Sequence, residues 1–124
     1  MKRLMLAGLV LLAMALSGCD KDADETAISM VGGNPQRGRQ IITIYGCNSC
    51  HTIPGVDGAN ALVGPPLIKM AARTYVGGVL QNTPANIMKW IQNAPAVDPK
   101  TAMPDLHVTQ GDARDIATYL YTLQ

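Results

Sequence analysis

Apolar residues recur every three or four positions in several stretches of the chain, which is the spacing that places side chains on one face of a helix. Asn34, Thr83 and Thr109 each precede such a stretch, and proline follows the first two, as is typical of helix N-termini. Alternation of apolar and polar residues, which would indicate strands, is nearly absent. The pattern therefore predicts an all-α fold of about four helices, which begin at Pro35, Leu67, Pro84 and after Thr109.

The first 18 residues have the pattern of an export signal. Lys2 and Arg3 precede an apolar run of 13 residues (4 to 16), which is shorter than the roughly 20 residues that a membrane-spanning helix needs. The end of this run, Leu16-Ser17-Gly18-Cys19, resembles a bacterial lipobox. We expect residues 1–18 to be a lipoprotein signal peptide and Cys19 to carry the lipid. An ordinary signal peptide or a retained anchor helix is the alternative.

The segment after Cys19 is short and polar and ends in Gly32-Gly33. It predicts a lipid-anchored flexible tether over residues 19–33, followed by one domain over residues 34–124. Asp20 resembles the signal that keeps Gram-negative lipoproteins at the inner membrane. The expected location is therefore the periplasmic side of the inner (cytoplasmic) membrane.

Composition narrows the classes of partner and cofactor. Removal of Lys2 and Arg3 leaves 8 basic residues (10 minus 2) against 9 acidic ones. No block of basic residues indicates binding to nucleic acid. The chain has no Phe and five Tyr and Trp residues together (4 plus 1), which is sparse for a small core. A large aromatic cofactor would supply the missing apolar mass.

Cys47-Asn48-Ser49-Cys50-His51 is a Cys-x-x-Cys-His motif, the pattern of covalent haem attachment in exported proteins. Two thiols at this spacing can add to the two vinyl groups of one porphyrin, and the adjacent imidazole can bind the iron. A redox dithiol, half of a zinc site and a short disulfide are the alternatives. The first lacks a βαβ setting, and the second lacks further ligands at suitable spacing.

The ordered features of residues 34–124 resemble a class I cytochrome c, a monohaem c-type cytochrome. A leading helix with Gly38 is followed by the haem motif, by Gly64-Pro65-x-Leu67 and by a helix with Trp90. Met103-Pro104 and a final amphipathic helix with Tyr119 complete the series. The resemblance implies the cytochrome c fold, with helices packed around one haem c, and it implies that Gly38 and Ile42 pack against Ile116 and Tyr119.

The same resemblance implies roles for individual residues. Cys47 and Cys50 would hold the thioether bonds, His51 would be the proximal ligand of the iron, and the carbonyl of Pro65 would accept a hydrogen bond from that imidazole. Met103 would be the distal ligand.

Some of these residues have alternative interpretations. Pro65 could be only a turn proline, an interpretation that applies equally to Pro66, and His107 could replace Met103 as the ligand. Met70 and Met88 read as core residues of helices. Trp90 resembles the aromatic residue that can bond a haem propionate, although it could equally be core.

The predicted function is one-electron transfer through a His/Met-ligated haem by a periplasmic protein that is tethered to the membrane. Its partners would be the redox proteins of a membrane respiratory complex, a terminal oxidase, a reductase or a dehydrogenase. Lys69, Lys89 and Lys100 are candidate steering charges for these partners. The alternatives are the haem subunit of an oxidoreductase complex, a peroxidase-like enzyme with labile Met ligation, and a lipoprotein without redox function.

Overall fold

The computed structural model of the chain describes residues 19–124, and most of this part is helical. The predicted signal peptide, residues 1–18, lies outside the described residues. The described residues form five α-helices, which are α1 (Cys19–Val31), α2 (Pro35–Ile44), α3 (Pro84–Gln92), α4 (Ala94–Val97) and α5 (Gln110–Thr122). The all-α prediction is confirmed.

Short elements connect α2 to α3. Two 3-10 helices, Cys47–Ser49 and Met70–Ala72, are followed by strands β1 (Tyr75–Val76) and β2 (Leu80–Gln81). The two strands pair antiparallel, with Tyr75 opposite Gln81. The stretch between the 3-10 helices is a loop that contains one isolated bridge, between Thr52 and Asn60.

The three longer helices of the domain begin where the sequence predicts. Side-chain oxygens of Asn34, Thr83 and Thr109 accept hydrogen bonds from the backbone N–H three residues later, at 2.9, 3.2 and 3.2 Å. Each bond satisfies a donor that the first helical turn leaves without a partner. The capping residues therefore fix the starts of α2, α3 and α5.

Helices α2 and α5 pack directly on each other and form the centre of the domain. Gly38 makes this close approach possible, because a Cβ atom at this position would overlap the backbone carbonyl of Asp115. Ile42, one turn further along α2, has no exposed surface, and Ile116 and Tyr119 of α5 are also buried. The predicted packing of the two helices is present in the structure.

The helix predicted from Leu67 to Tyr75 is wrong. One 3-10 turn, Met70–Ala72, forms there, because Lys69 has a left-handed backbone (φ 50°) and Arg73 is extended. Bonds from the Arg73 guanidinium to the carbonyls of Pro66 and Ile68, at 2.5 and 3.1 Å, fold the segment back on itself. Apolar residues at helical spacing in this short stretch therefore did not produce a helix, because the Arg73 side chain binds the backbone carbonyls instead.

The segment predicted as a flexible tether is also different in the structure. Residues 19–31 form α1, which packs on α5 and α2 and ends at Gly32 in a left-handed conformation (φ 81°). No Gly or Pro interrupts the segment between Cys19 and Val31, so its polar composition is compatible with a helix. Within residues 19–124, no helix is both long and apolar enough to cross a membrane.

Ala94 and Pro95 begin a short helix, α4, directly after the end of α3. Pro95 is in the first turn of α4, and the Asn93 side chain caps this short helix by accepting a bond from the Ala96 N–H at 3.0 Å. Proline is tolerated there because the first helical positions need no internal donor. Helix α4 leads into the irregular loop that carries Met103.

Candidate functional site

The haem-attachment motif forms a tight turn at the end of α2. Gly46 has a left-handed backbone (φ 76°), which starts the 3-10 helix Cys47–Ser49. The N–H groups of Cys50 and His51 both donate to the carbonyl of Cys47, at 3.2 and 3.0 Å. This turn places the side chains of Cys47, Cys50 and His51 along one wall of an internal cavity. Cys47 and Cys50 are not joined in a disulfide, and before haem is attached burial raises the pKa of the Cys47 thiol.

His51 is oriented by a bond to the backbone. Its Nδ1 lies 2.7 Å from the carbonyl oxygen of Pro65, which can only accept, so Nδ1 carries the proton. The lone pair of the imidazole is therefore on Nε2, the nitrogen available for a metal. Pro66 makes no such contact, because its carbonyl accepts from Arg73. Pro65 is therefore more than a turn proline, because its carbonyl contacts the imidazole of His51.

Backbone bonds hold the segment of Pro65 against the haem motif. The Gly64 N–H donates to the carbonyl of Cys50 at 2.7 Å, and the Leu67 N–H donates to that of Thr52 at 2.8 Å. A Cβ atom on Gly64 would lie on the imidazole of His51, within 2.7 Å of Nδ1. Glycine at this position is therefore required for the His51 ring to occupy its place.

The cavity has a volume of about 350 Å³ and mostly apolar walls. Side chains from α2, α3, α5 and the connecting loops line it. They include Ile42, Leu67, Met70, Val76, Ile87, Trp90, Ile91, Leu106, Val108, Ile116 and Leu120. A cavity of this kind, inside a small domain, is suited to a large apolar ligand.

Trp90 is part of the cavity wall and is 9% exposed. Its ring packs against Gly77, because a Cβ atom there would lie 2.6 Å from three ring carbons, and the backbone of Gly77 is left-handed (φ 60°). The structure places Trp90 in the predicted region. Its bond to a haem propionate stays a prediction.

Met103 lies in the cavity wall on the loop between α4 and α5 and is partly buried. Its N–H donates to Oγ1 of Thr101 at 3.2 Å, which is one of the bonds that shape this loop. His107, the rival ligand, lies outside the cavity with a side chain that is 89% exposed. Its Nδ1 is 3.5 Å from the carboxylate of Asp105.

Met70 is a competitor that the sequence placed elsewhere. It lines the same cavity and is 3% exposed, whereas Met88 is outside the cavity wall. Two methionines, Met70 and Met103, therefore line the cavity together with His51. Met70 was expected to be helical core. Its position in a 3-10 turn beside the cavity had no signal in the sequence.

The role of Arg73 at the site was not predicted, and neither was the contact of Gly64 with the His51 ring. Arg73 lines the cavity and binds the carbonyls that follow Pro65, so it stabilises the segment on which His51 depends. A single basic residue in a misassigned helix gave no indication of this contact. Gly64 was predicted as part of a stiff turn, and a glycine before a proline was the one available signal.

The residues present fit a covalently bound haem. One apolar cavity is lined by two cysteines, by a histidine whose Nε2 is free, and by a methionine, Met103. These are the groups that thioether formation and axial ligation of a haem iron require. Among the described residues, no group of three or more His, Cys, Asp or Glu side chains could hold a metal ion alone.

Comparison with known proteins supports this assignment. No curated protein and no solved structure matches the chain. The family model described as Cytochrome c matches residues 35–124, which cover α2 to α5 and every residue of the cavity wall. The chain belongs to the cytochrome c family.

Proposed function

We propose that this protein is a one-electron carrier that a lipid on Cys19 tethers to the periplasmic side of the inner membrane. Its haem iron would be bound by His51 and Met103. Family membership makes it a haem-based electron-transfer protein with haem c attached through Cys47 and Cys50. The observation that carries the proposal is the cavity, which brings the haem motif and Met103 into one enclosure.

Haem c supplies one iron that accepts and releases a single electron. His51 would contribute Nε2 as a ligand, and its bond to Pro65 fixes the ring and increases its basicity. Met103 would contribute a soft thioether, which favours the ferrous state. Ile116, Leu120 and the other apolar side chains of the wall exclude water and disfavour the extra positive charge of ferric iron.

Binding of the iron by both His51 and Met103 would favour electron transfer over catalysis. The two side chains would leave no position for a substrate and would stay bound in both oxidation states. The enzymatic alternatives require a Met103 bond that opens readily. The bonds within the Asp98–Thr101 turn, together with the bond from Met103 to Thr101, support a loop that keeps its shape.

The proposed partners are redox proteins with acidic docking surfaces. Lys69, Lys89 and Lys100 are exposed, and each directly precedes a residue of the cavity wall (Met70, Trp90 and Thr101). Three positive charges around the haem site would steer an anionic partner toward it. Replacement of the three by Glu should slow oxidation by a small anionic metal complex at low salt and leave the rate at high salt unchanged.

The central experiment is an optical spectrum of the purified mature protein, produced together with its haem-maturation machinery. We expect haem that stays attached under denaturing conditions, a low-spin spectrum in both oxidation states, and no change when carbon monoxide is added to the reduced protein. Binding of carbon monoxide at neutral pH would overturn the carrier proposal in favour of a peroxidase-like site. A protein without covalent haem would overturn redox function altogether.

The anchor needs a separate experiment on the full chain in a Gram-negative host. Cys19→Ser should release the protein from membranes, whereas Ser29→Ala, an exposed change in the same helix, should leave it bound. Retention of the Cys19→Ser protein in membranes would show that acylation is not the tether. The haem spectrum serves as a control for folding in both variants.

A further inference from the structure

We infer that α1 is a docked spacer that fixes the orientation of the haem domain on the membrane, with the haem cavity on the side of α5 away from the anchor helix. The inference rests on the proposed lipidation of Cys19. Cys19 is the first residue of α1, so a lipid there would be attached to the end of a helix and not to a loose chain. The contacts of α1 with the domain decide whether this helix is rigidly placed.

Side chains on one face of α1 pack against the domain. Ala27 is 1% exposed, and Val31 is partly buried against the core. Asp24 accepts a hydrogen bond from the Gln36 side chain of α2 at 2.5 Å. Apolar contacts to α5 and a polar contact to α2 thus hold the helix along most of its length.

The turn between α1 and α2 is bound to α5 as well. The N–H of Gly33 donates to Oγ1 of Thr118 at 3.1 Å, and that of Asn34 donates to the carboxylate of Asp115 at 2.8 Å. A Cβ atom on Gly33 would lie within 2.7 Å of the Arg114 carbonyl oxygen. The turn after α1 is therefore held in place by hydrogen bonds and by close contact with α5.

Helix α5 separates α1 from the haem cavity. Ile116 and Leu120 line the cavity, whereas Thr118 contacts the turn that follows α1. Two residues along a helix correspond to a rotation of about 200°, so Thr118 points away from the face that carries Ile116 and Leu120. Every residue of the cavity wall lies at or beyond Ile42, outside α1.

The direction of α1 shows which end of the domain faces the membrane. Gly33 lies beside Arg114 and Thr118, and a surface cleft at the other end is lined by Ala23 and Asp24 together with Thr122 and Leu123. Helix α1 therefore runs antiparallel to α5. Its N-terminal end lies at the C-terminal end of α5, and the lipid would hold this end of the domain toward the bilayer.

The distance between the lipid and the domain does not distinguish a docked α1 from a flexible tether, but the orientation of the domain on the membrane does. Helix α1 has 13 residues and is about 20 Å long, at about 1.5 Å per residue. A flexible chain of equal length would span a similar root-mean-square distance, about 20 Å. A docked α1 leaves the domain one preferred orientation, whereas a free chain would let it rotate.

The charge on α1 is compatible with a spacer that stands away from the lipid surface. Asp22 and Glu25 are exposed in its N-terminal half, and Lys21 is the single basic residue of the helix. Carboxylates are repelled by the anionic headgroups of a bilayer. Attraction to the membrane would then come from the lipid on Cys19, with the helix projecting from it.

The test measures haem orientation in the lipidated holoprotein. The protein is reconstituted in stacked, oriented bilayers of phosphatidylethanolamine and phosphatidylglycerol, and the linear dichroism of the haem absorption is recorded. We expect a clear dichroism for the unaltered protein and for Ser29→Glu, which adds a charge to an exposed position of α1. Ala27→Glu, which places the same charge at a buried position, should abolish the dichroism while membrane retention and the haem spectrum stay unchanged.

A second measurement covers the case in which Ala27→Glu does not fold. Gly33→Ala disturbs the turn instead, and amide hydrogen exchange on the soluble Cys19→Ser holoprotein reports docking without any lipid. The α1 amides should be protected at least about tenfold more in the parent than in Gly33→Ala. Exchange of α1 in the parent at the rate of a free peptide would overturn the inference.

The outcomes separate the inference from the proposal on which it depends. Membrane-bound protein with haem but without dichroism overturns the docked spacer and leaves the lipid anchor standing. Dichroism that persists in Ala27→Glu overturns the role of α1 in orientation. Unaltered protein that does not bind membranes overturns the anchor itself, and the spacer with it.

Discussion

His51 and Pro65 are joined by one hydrogen bond, 2.7 Å from the imidazole Nδ1 to the backbone carbonyl oxygen, and this bond selects the nitrogen that is left for iron. The acceptor is held in place from both sides. Gly64 bonds to the carbonyl of Cys50, and Arg73 bonds to that of Pro66. The ring therefore presents Nε2 to the cavity in one orientation, before any cofactor contributes to its position.

Gly64→Ala should disturb this arrangement directly. A methyl group at Gly64 would lie on the imidazole of His51, so the ring has to move away from the Pro65 carbonyl. A weaker bond makes His51 a poorer donor and destabilises ferric iron, so the reduction potential should rise. A net value of about 0.5–1.5 kcal/mol for the bond corresponds to about 20–60 mV for one electron.

The measurement for Gly64→Ala is a redox titration of the purified holoprotein beside Gly111→Ala. Gly111 has open space around it, so an alanine there touches nothing and controls for the substitution itself. We expect the potential of Gly111→Ala to equal that of the parent. An unchanged potential in Gly64→Ala would mean that the close contact with His51 does not constrain the ligand.

With the proposed ligation by His51 and Met103, Met103→Ala should remove the second protein ligand of the iron. The reduced protein should then bind carbon monoxide, and the potential should fall by roughly 0.1 V or more, a fraction of the about 0.8 V range that axial ligands cover. The matched control is Met70→Leu, because Met70 lines the same cavity and is the second thioether within it. Its spectrum should keep the low-spin form, with no carbon monoxide adduct.

The opposite pattern in the two methionine variants would reassign the distal ligand. Loss of the low-spin spectrum in Met70→Leu, with Met103→Ala unaffected, would identify Met70. Optical and magnetic circular dichroism spectra in the thioether–iron charge-transfer region distinguish the two cases, because they report the bound sulfur directly.

Local signals in the sequence located most of the site. The haem motif was identified from its own spacing, and Pro65 and Met103 from the resemblance to class I cytochromes c; the structure brings all three to one cavity. The chemistry in these positions depends on residue type and spacing, which a sequence displays. The helix starts at Asn34 and Thr109 followed from capping side chains for the same reason.

Features that depend on distant contacts were not predictable. The segment around Arg73 was assigned to a helix because its side-chain bonds to Pro66 and Ile68 have no counterpart in apolar spacing. The segment of α1 was assigned to a tether because it is polar, whereas Ala27 finds a partner surface on the rest of the domain. In both cases tertiary contacts decided a conformation that composition left open.

Gly38→Ala should destabilise the domain through the crossing of α2 and α5. The added methyl group would overlap the carbonyl of Asp115, and the backbone of a packed helix cannot move aside cheaply. Forcing such a contact costs about 1–3 kcal/mol. Gly111→Ala in α5, where the space is open, should be neutral or stabilise by up to about 1 kcal/mol. Chemical denaturation of the two holoproteins measures both effects, and equal stabilities would refute the close crossing.

Asp112→Asn should make the free energy of unfolding depend less on pH in the acidic range. The pKa of Asp112 is held below its ordinary range by the hydrogen bond from Tyr45, at 2.6 Å, and by the bond from Arg37, at 2.5 Å. A carboxylate with a lowered folded pKa contributes stability that is present above the unfolded value, about 3.9, and is lost as the pH falls through the folded value.

The difference in unfolding free energy between the parent and Asp112→Asn should therefore be largest near neutral pH and vanish in strong acid. Denaturation of the holoproteins across this pH range measures it, with Asp57→Asn, an exposed loop change, as the control. Because Tyr45 directly precedes Gly46 and the haem motif, loss of the Tyr45–Asp112 bond also loosens the turn that carries Cys47. A difference that stays constant with pH would show that the charge of Asp112 does not tie this turn to α5.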